Sequence, residues 1–244
     1  MNLLRIIFRS LFVKRDVKLL FTFTFLPLLS SFLGGGGHSL NYFNNGYFSF
    51  LVQTMATQYK MVLPMLVIIL LVSSIFREEI ESGILFLYKD LNRYRLFTAK
   101  LLSLFLLYFV FLIATMVISF MVYGFQVLAL EQPFSLVSAI PKESRVTIYS
   151  FIAYILMNLI TISFASMVSI TSSTMKTVLL GVFINLLVSV SPLLVGIQYL
   201  FPNGYEELSQ SNFSLAVILA FLIASLYLAI TYTIGHRRFN KVEF

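Results

Sequence analysis

The stretch FREEIESGILFLYKDLNRYRLFTAKL, Phe76–Leu101, decides how the chain is read. Arg77, Glu78, Glu79, Glu81, Lys89, Asp90, Arg93, Arg95 and Lys100 put nine charges into 26 residues, between two strongly apolar runs. Hydrocarbon cannot solvate charge at that density. The stretch therefore belongs in water or at a headgroup surface. Acids come first and bases later, as a helix dipole favours. Gly83 allows a turn. Ile84, Leu85, Phe86 and Leu87 add an apolar patch. A segment charged and apolar at once reads as a docking surface; the alternative is a solvated loop with topogenic bases.

Composition agrees with the apolar flanks. Of 244 residues, 59% are hydrophobic and 11% charged, with a mean hydropathy of +0.93. A soluble domain carries about 25% charged residues. This chain cannot cover a soluble surface, so it reads as an all-α polytopic membrane protein forming one transmembrane domain. With no cysteine there is no disulfide, thiolate metal site or Cys nucleophile. The net charge of +7 does not point to nucleic acid, because the bases flank apolar runs and face anionic lipid.

Outward from the opening stretch, six spans are expected: about 19–33, 61–76, 101–123, 146–171, 177–200 and 213–234. Residues 2–12 read as an amphipathic helix, with Leu3, Leu4, Ile7, Phe8 and Leu11 on one face and Arg5 and Arg9 on another. Residues 1–18 are thus expected at the interface, with the N-terminus retained rather than cleaved. Residues 38–59, polar and aromatic, are expected at the outer interface. The turn Ser172–Lys176 makes spans four and five a tight pair, and Ser191-Pro192 with Gly196 breaks span five. With both termini inside, only Lys60, Lys142 and Arg145 of the 17 bases fall outside. That bias sets the orientation and makes 77–100 cytoplasmic.

The proposed spans hold no Asp, Glu, Lys, Arg or His. Ion-coupled pumps keep such groups at depth. Catalysis within the membrane would need them too, and the two histidines, His38 and His236, fall on opposite sides. No catalytic residue, bound cofactor or metal site is expected. Neutral polar residues do recur in spans four and five: Asn158, Thr161 and Ser169, then Asn185, Ser189 and Pro192. One reading is helix packing; the other is a substrate path or dimer interface.

With the topology set, the order Glu79, Glu81, Gly83, Leu85, Leu87, then Arg93 or Arg95, then Lys100-Leu101-Leu102 resembles the loop between spans two and three of the type-2 ABC exporter permeases (ABC-2 family). Ile84 stands where that family commonly has Thr, and Asp90-Leu91-Asn92 where it has Pro-hydrophobic-Ser. The resemblance covers about 25 residues by motif, and the whole chain by layout. It implies that 77–100 is a cytoplasmic coupling segment against an ATP-binding subunit. It also implies that ATP and Mg are bound by that separate ATPase, and that a second permease subunit, identical or different, completes the pathway. This chain has no G-x-x-x-x-G-K-[ST]; Gly34–Gly37 is followed by His-Ser.

The leading expectation is the permease subunit of an ATP-driven exporter in a bacterial plasma membrane. An uncharged interior suits an amphipathic cargo: a peptide first, including antimicrobial peptides and self-protection, and a lipid or lipid-linked glycan second. The alternatives are a membrane scaffold or regulatory protein, and a passive channel.

Overall fold

The computed structural model describes residues 2–28, 46–84, 92–129, 131, 133–194 and 196–241. Among them every regular element is helical: α1 (Asn2–Val13), α2 (Arg15–Thr22), α3 (Tyr47–Lys60), α4 (Leu63–Glu81), α5 (Arg93–Ala129), α6 (Pro141–Ser169), α7 (Thr174–Val190), α8 (Glu206–Ser211) and α9 (Phe213–Asn240). Short 3-10 turns follow α2 and link α7 to α8. Helices α5, α6, α7 with its 3-10 extension, and α9 are long and apolar enough to cross a membrane. A fifth span results if α3 and α4, bent by 61° at their junction, count as one. The chain is a membrane-embedded helical protein.

Polar contacts give the directions of the helices. Lys14, just before α2, bonds Ser74 of α4, and the Phe23 carbonyl beyond α2 accepts from Gln58 of α3. Residues 15–28 therefore run antiparallel to the α3–α4 pair. Helix α5 runs back along α4, through Lys100 and Ile75. Helix α7 runs antiparallel to α4: Thr174 bonds Ser73, and the Asn185 carbonyl accepts from Tyr59 before the bend. Helices α6 and α9 are parallel, with Tyr149 near Ala216, Ser163 on Thr231 at 2.6 Å, and Thr171 on Arg238 at 3.2 Å. Lys14, Arg77, Arg93, Lys100 and Arg238 thus gather at one end of the bundle, called here the basic end.

Helices in lipid gain nothing from burying apolar surface against each other, so small residues must permit close approach. Ala216, Ala220 and Ala224 lie four apart on α9 and are fully buried against Tyr149, Ala153, Leu156 and Ile160 of α6. At the α4–α7 crossing, a Cβ on Gly181 would come within 2.7 Å of the Ile69 side chain. At the far end, Gly46 enters α3 at φ +91°, and a Cβ there would meet the Val137 backbone at 3.0 Å. This approach lets Tyr47 and Phe48 donate their N–H groups to the carbonyls of Ser135 and Leu136.

Several expected boundaries move. The span at 19–33 is described only to residue 28, as α2, a 3-10 turn and a short helical continuation. Residues 47–60, expected to lie at the outer interface, form α3. Its buried face, Tyr47, Phe50, Leu51, Thr54, Met55, Gln58 and Tyr59, keeps helical spacing although two of its members are polar. The span at 61–76 continues as helix to Glu81, because its acids extend the helix into water. At 37 residues, α5 is about 55 Å long, well over the roughly 30 Å of a hydrocarbon core. Helical order in span five stops at Val190, ten residues short of the expected end. There Pro192 and Gly196, with φ +85°, break the chain into 3-10 turns. The helix expected over 2–12 is α1, Asn2–Val13, and within the expected interfacial segment 1–18 it is followed by α2 from Arg15. Its Ile7 and Leu11 are buried in the core shared with α4 and α5, where lipid contact was expected.

The α6–α9 seam sets the first expected outcome. Ala220→Leu overfills it and should lower stability by about 2 kcal/mol, read as a lower thermal midpoint in detergent. Ala220→Ser, which keeps the volume small, should stay close to wild type.

Candidate functional site

The C-terminal turns of α4 and the first turns of α5 form an elbow at the basic end. Gly83 sits one residue past the α4 cap, in the left-handed region at φ +71°, and ends the helix as a C′ glycine does. A Cβ there would meet nothing, so the requirement is conformational only.

Two populations of charge divide the elbow. One faces inward. Lys100 is 1% exposed, and its Nζ donates to Glu79 Oε2 and to the Ile75 carbonyl, both at 2.8 Å. The rings of Phe76 and Phe239 lie 5.5 and 6.0 Å from the ammonium. Beside them, Lys14 donates to the Ser74 carbonyl and to Ser74 Oγ, at 3.2 and 2.8 Å. The chain entering α2 and the end of α9 are thereby tied to the α4–α5 pair. Arg93 adds a bond of 2.6 Å to the Asn240 carbonyl. The second population faces out. Glu78, Glu81, Gly83, Ile84, Tyr94 and Arg95 are exposed, and Arg77 pairs with Glu81 at 2.7 Å along the helix.

The residues grouped from sequence are therefore not one surface. Glu81, Gly83 and Arg95 are exposed; Arg93 is half-buried on the C-terminal helix. Glu79 and Lys100 hold α4 against α5. Lys100 presents almost no surface; its ammonium ties α5 to Glu79 of α4. Leu85 and Leu87 lie outside the described residues. The expectation of an interior without a buried ion fails at Lys100. Its long apolar stem fits a helix core, and its head reaches Glu79, 21 residues earlier in the chain.

The neutral polar residues separate as well. Asn158 donates to the Tyr108 hydroxyl at 3.0 Å and to the Tyr154 carbonyl at 2.9 Å. The Tyr59 hydroxyl donates to the Asn185 carbonyl at 3.4 Å. Thr161 bonds back to the Met157 carbonyl at 3.0 Å. Asn158, Thr161 and Asn185 thus gather with Tyr59, Tyr108 and Tyr154 where α3 meets α4. The side chain of Asn185 is fully buried, with neither amide atom paired. The adjacent cavity, lined by Tyr59, Pro64, Tyr108 and Asn158, holds about 20 Å³. That is room for one water and not for a cargo. Ser169 is buried two turns along α6 from Thr161, its hydroxyl unpaired. Ser189 is half-buried and Pro192 exposed at the α7 break, so neither joins the group. The sequence reading passed over the three tyrosines because aromatic residues are common throughout.

Among the described residues no cluster of His, Asp or Glu has a metal-binding arrangement. Comparison with family models, curated proteins and solved structures gives no match.

Two outcomes follow from this geometry. Glu79→Gln strands a buried ammonium and should cost about 2 kcal/mol, below the figure for a fully buried pair because the carboxylate is partly exposed. Adding Lys100→Met should recover most of that loss in thermal unfolding. At the polar cluster, Asn185→Leu removes two unpaired buried groups and should raise the unfolding midpoint, whereas Asn158→Leu orphans the Tyr108 hydroxyl and should lower it.

Proposed function

We propose that the chain is the membrane-spanning permease subunit of an ATP-driven exporter of the type-2 ABC kind, with six spans and both termini in the cytoplasm of a bacterial cell. A separate cytoplasmic ATPase binds ATP and Mg and docks at the elbow between α4 and α5. A second permease subunit completes the pathway. The cargo is amphipathic, a peptide by first choice and a lipid or lipid-linked glycan by second.

The observation that carries this reading is the elbow. Ile84, Tyr94, Glu81 and Arg95 are all exposed, at the ends of α4 and α5 that the Glu79–Lys100 pair ties together. A partner pressing there meets apolar and charged contacts together, the mixture that protein interfaces use. The ion pair beneath passes a push on the surface to both helices. Helix α4 runs unbroken from the elbow to its bend at Tyr59–Leu63, beside the neutral polar cluster. The elbow lies at the basic end, which the bias in positive charge assigns to the cytoplasm.

The reading is tested by co-purification with an ABC ATPase from the same cell, and by ATP-dependent transport in proteoliposomes with that ATPase added. Ile84→Asp with Arg95→Glu should cut ATPase association by at least about tenfold while leaving the thermal midpoint close to wild type. A permease that recruits no ATPase, or a double variant that recruits it as well as wild type, would sink the assignment.

A further inference from the structure

Helices α5 and α9 run antiparallel from the basic end. There Arg93 bonds the Asn240 carbonyl, and rings meet: Tyr94 on His236 at 5.0 Å and Phe97 on Tyr232 at 5.6 Å. Gly235 permits this approach, since a Cβ there would come within 2.9 Å of the Phe97 ring. Deeper along the two helices the contact opens. Leu101 and Phe105 of α5, Leu228, Ala229 and Tyr232 of α9, and Ser163 of α6 line a cleft of about 270 Å³.

The polar atoms of this cleft are paired within the protein. Ser163 Oγ lies 2.6 Å from Thr231 Oγ1, and the Tyr232 hydroxyl lies 2.8 Å from Thr98 Oγ1. What remains is apolar wall, where a polar ligand would lose its water and gain no bond. Ala229 is exposed, and Phe105, Leu228 and Tyr232 are half-buried, so the cleft opens sideways. It opens between two outward stripes, Leu102, Leu106 and Phe109 on α5 and Leu222, Leu226 and Ile230 on α9, all exposed. In a membrane-embedded bundle such stripes face lipid, so the mouth of the cleft does too.

Charge at the head of the cleft selects among lipids. Arg95 continues the outward stripe of α5, and Arg237 that of α9, at helical spacing. Both are exposed, and neither has an ion pair among the described residues. The neighbouring bases are engaged: Arg93 with Asn240, Arg238 with Thr171, and Lys100 with Glu79. Neither α5 nor α9 contains an Asp or Glu. The ammonium of a zwitterionic headgroup would find no carboxylate on either helix, whereas an anionic headgroup brings charge of the matching sign alone.

We propose that the cleft holds one acyl chain of an anionic glycerophospholipid from the surrounding bilayer, with the phosphate between Arg95 and Arg237. From Arg95 to Phe105 is about 15 Å along α5, the depth of one leaflet of a roughly 30 Å hydrocarbon core. The proposal needs only a membrane-embedded bundle and does not rest on the exporter reading.

The test is native mass spectrometry of the full chain released from detergent, titrated with dioleoyl-phosphatidylglycerol and, separately, with dioleoyl-phosphatidylcholine. The first phosphatidylglycerol should bind at least about fivefold more tightly than the first phosphatidylcholine, since each arginine at a headgroup favours an anion by about that factor. Arg237→Gln should weaken phosphatidylglycerol about fivefold and leave phosphatidylcholine unchanged. Ala229→Phe fills the cleft from an exposed position and should weaken the first site for both lipids at least about fivefold. Leu222→Phe, on the outward stripe beyond the cleft, should bind as wild type does. Arg95 stays unaltered throughout, so loss of a partner at the elbow cannot pass for loss of lipid. Equal affinity for the two lipids would overturn the proposal, as would wild-type phosphatidylglycerol binding in either Arg237→Gln or Ala229→Phe. A lipid-free dimer that Ala229→Phe dissociates would overturn it too, giving the cleft to a second copy of the chain.

Discussion

A single ammonium group, Lys100 Nζ, governs how the basic end is built. Taking it out of water costs several kcal/mol unless a counter-charge and a further acceptor meet it. Glu79 and the Ile75 carbonyl supply both at 2.8 Å, and two aromatic faces close the site. These partners come from α4 and α9 and the lysine from α5, so satisfying the charge fixes three helices together. An apolar residue of similar size would pack there without demanding one register. A one-turn slip of α4 along α5 would move Glu79 by about 5.4 Å and leave the ammonium alone. The pair adds little net stability and a strong penalty against alternative packings.

The two ends of the bundle are held by different means. At the basic end, chain entry before α2, the turn between α6 and α7, and the end of α9 are tied by cations to carbonyls and hydroxyls. At the far end the ties are aromatic and backbone. Tyr47 and Tyr123 sit ring to ring, Tyr123 donates to the Ser135 carbonyl at 3.0 Å, and the α3 entry adds its N–H groups to the same loop. Between the ends the α6–α9 seam relies on three alanines and one hydroxyl pair. Buried cations thus brace one end, and rings and backbone bonds brace the other.

Much of this order can be read from residues, for physical reasons. Long apolar runs give α5, α6, α7 and α9 because lipid allows little else. Gly83 marks the end of α4 because only glycine takes the left-handed cap without strain. Helix α3 escaped because Thr54 and Gln58 interrupt its apolar face, and both are buried with bonds that no pattern displays. The inward turn of Lys100 escaped for a related reason. A lysine beside a span reads as a topology signal whether it faces water or a glutamate, and only the angle between α4 and α5 separates the two. The polar cluster was half legible: Asn158 and Asn185 stood out as amides in apolar runs, whereas Tyr59 and Tyr108 were hidden among many aromatic residues.

The bend between α3 and α4 shows how these constraints combine. Val62, β-branched, sits at φ +61°, a conformation that costs of order 1–3 kcal/mol. A straight helix through this point would avoid that strain. It would also swing the apolar face of α3 away from α5 and carry Tyr59 away from the Asn185 carbonyl, exposing a buried edge to lipid and widening the 20 Å³ cavity beside Asn158. The compact state therefore depends on packing by α3 to hold a strained residue in place. The strain sits between Tyr59 and Pro64, which both line the cavity beside the polar cluster. On the exporter reading, a push on α4 from the elbow arrives at this junction, where the backbone has most to gain by changing shape.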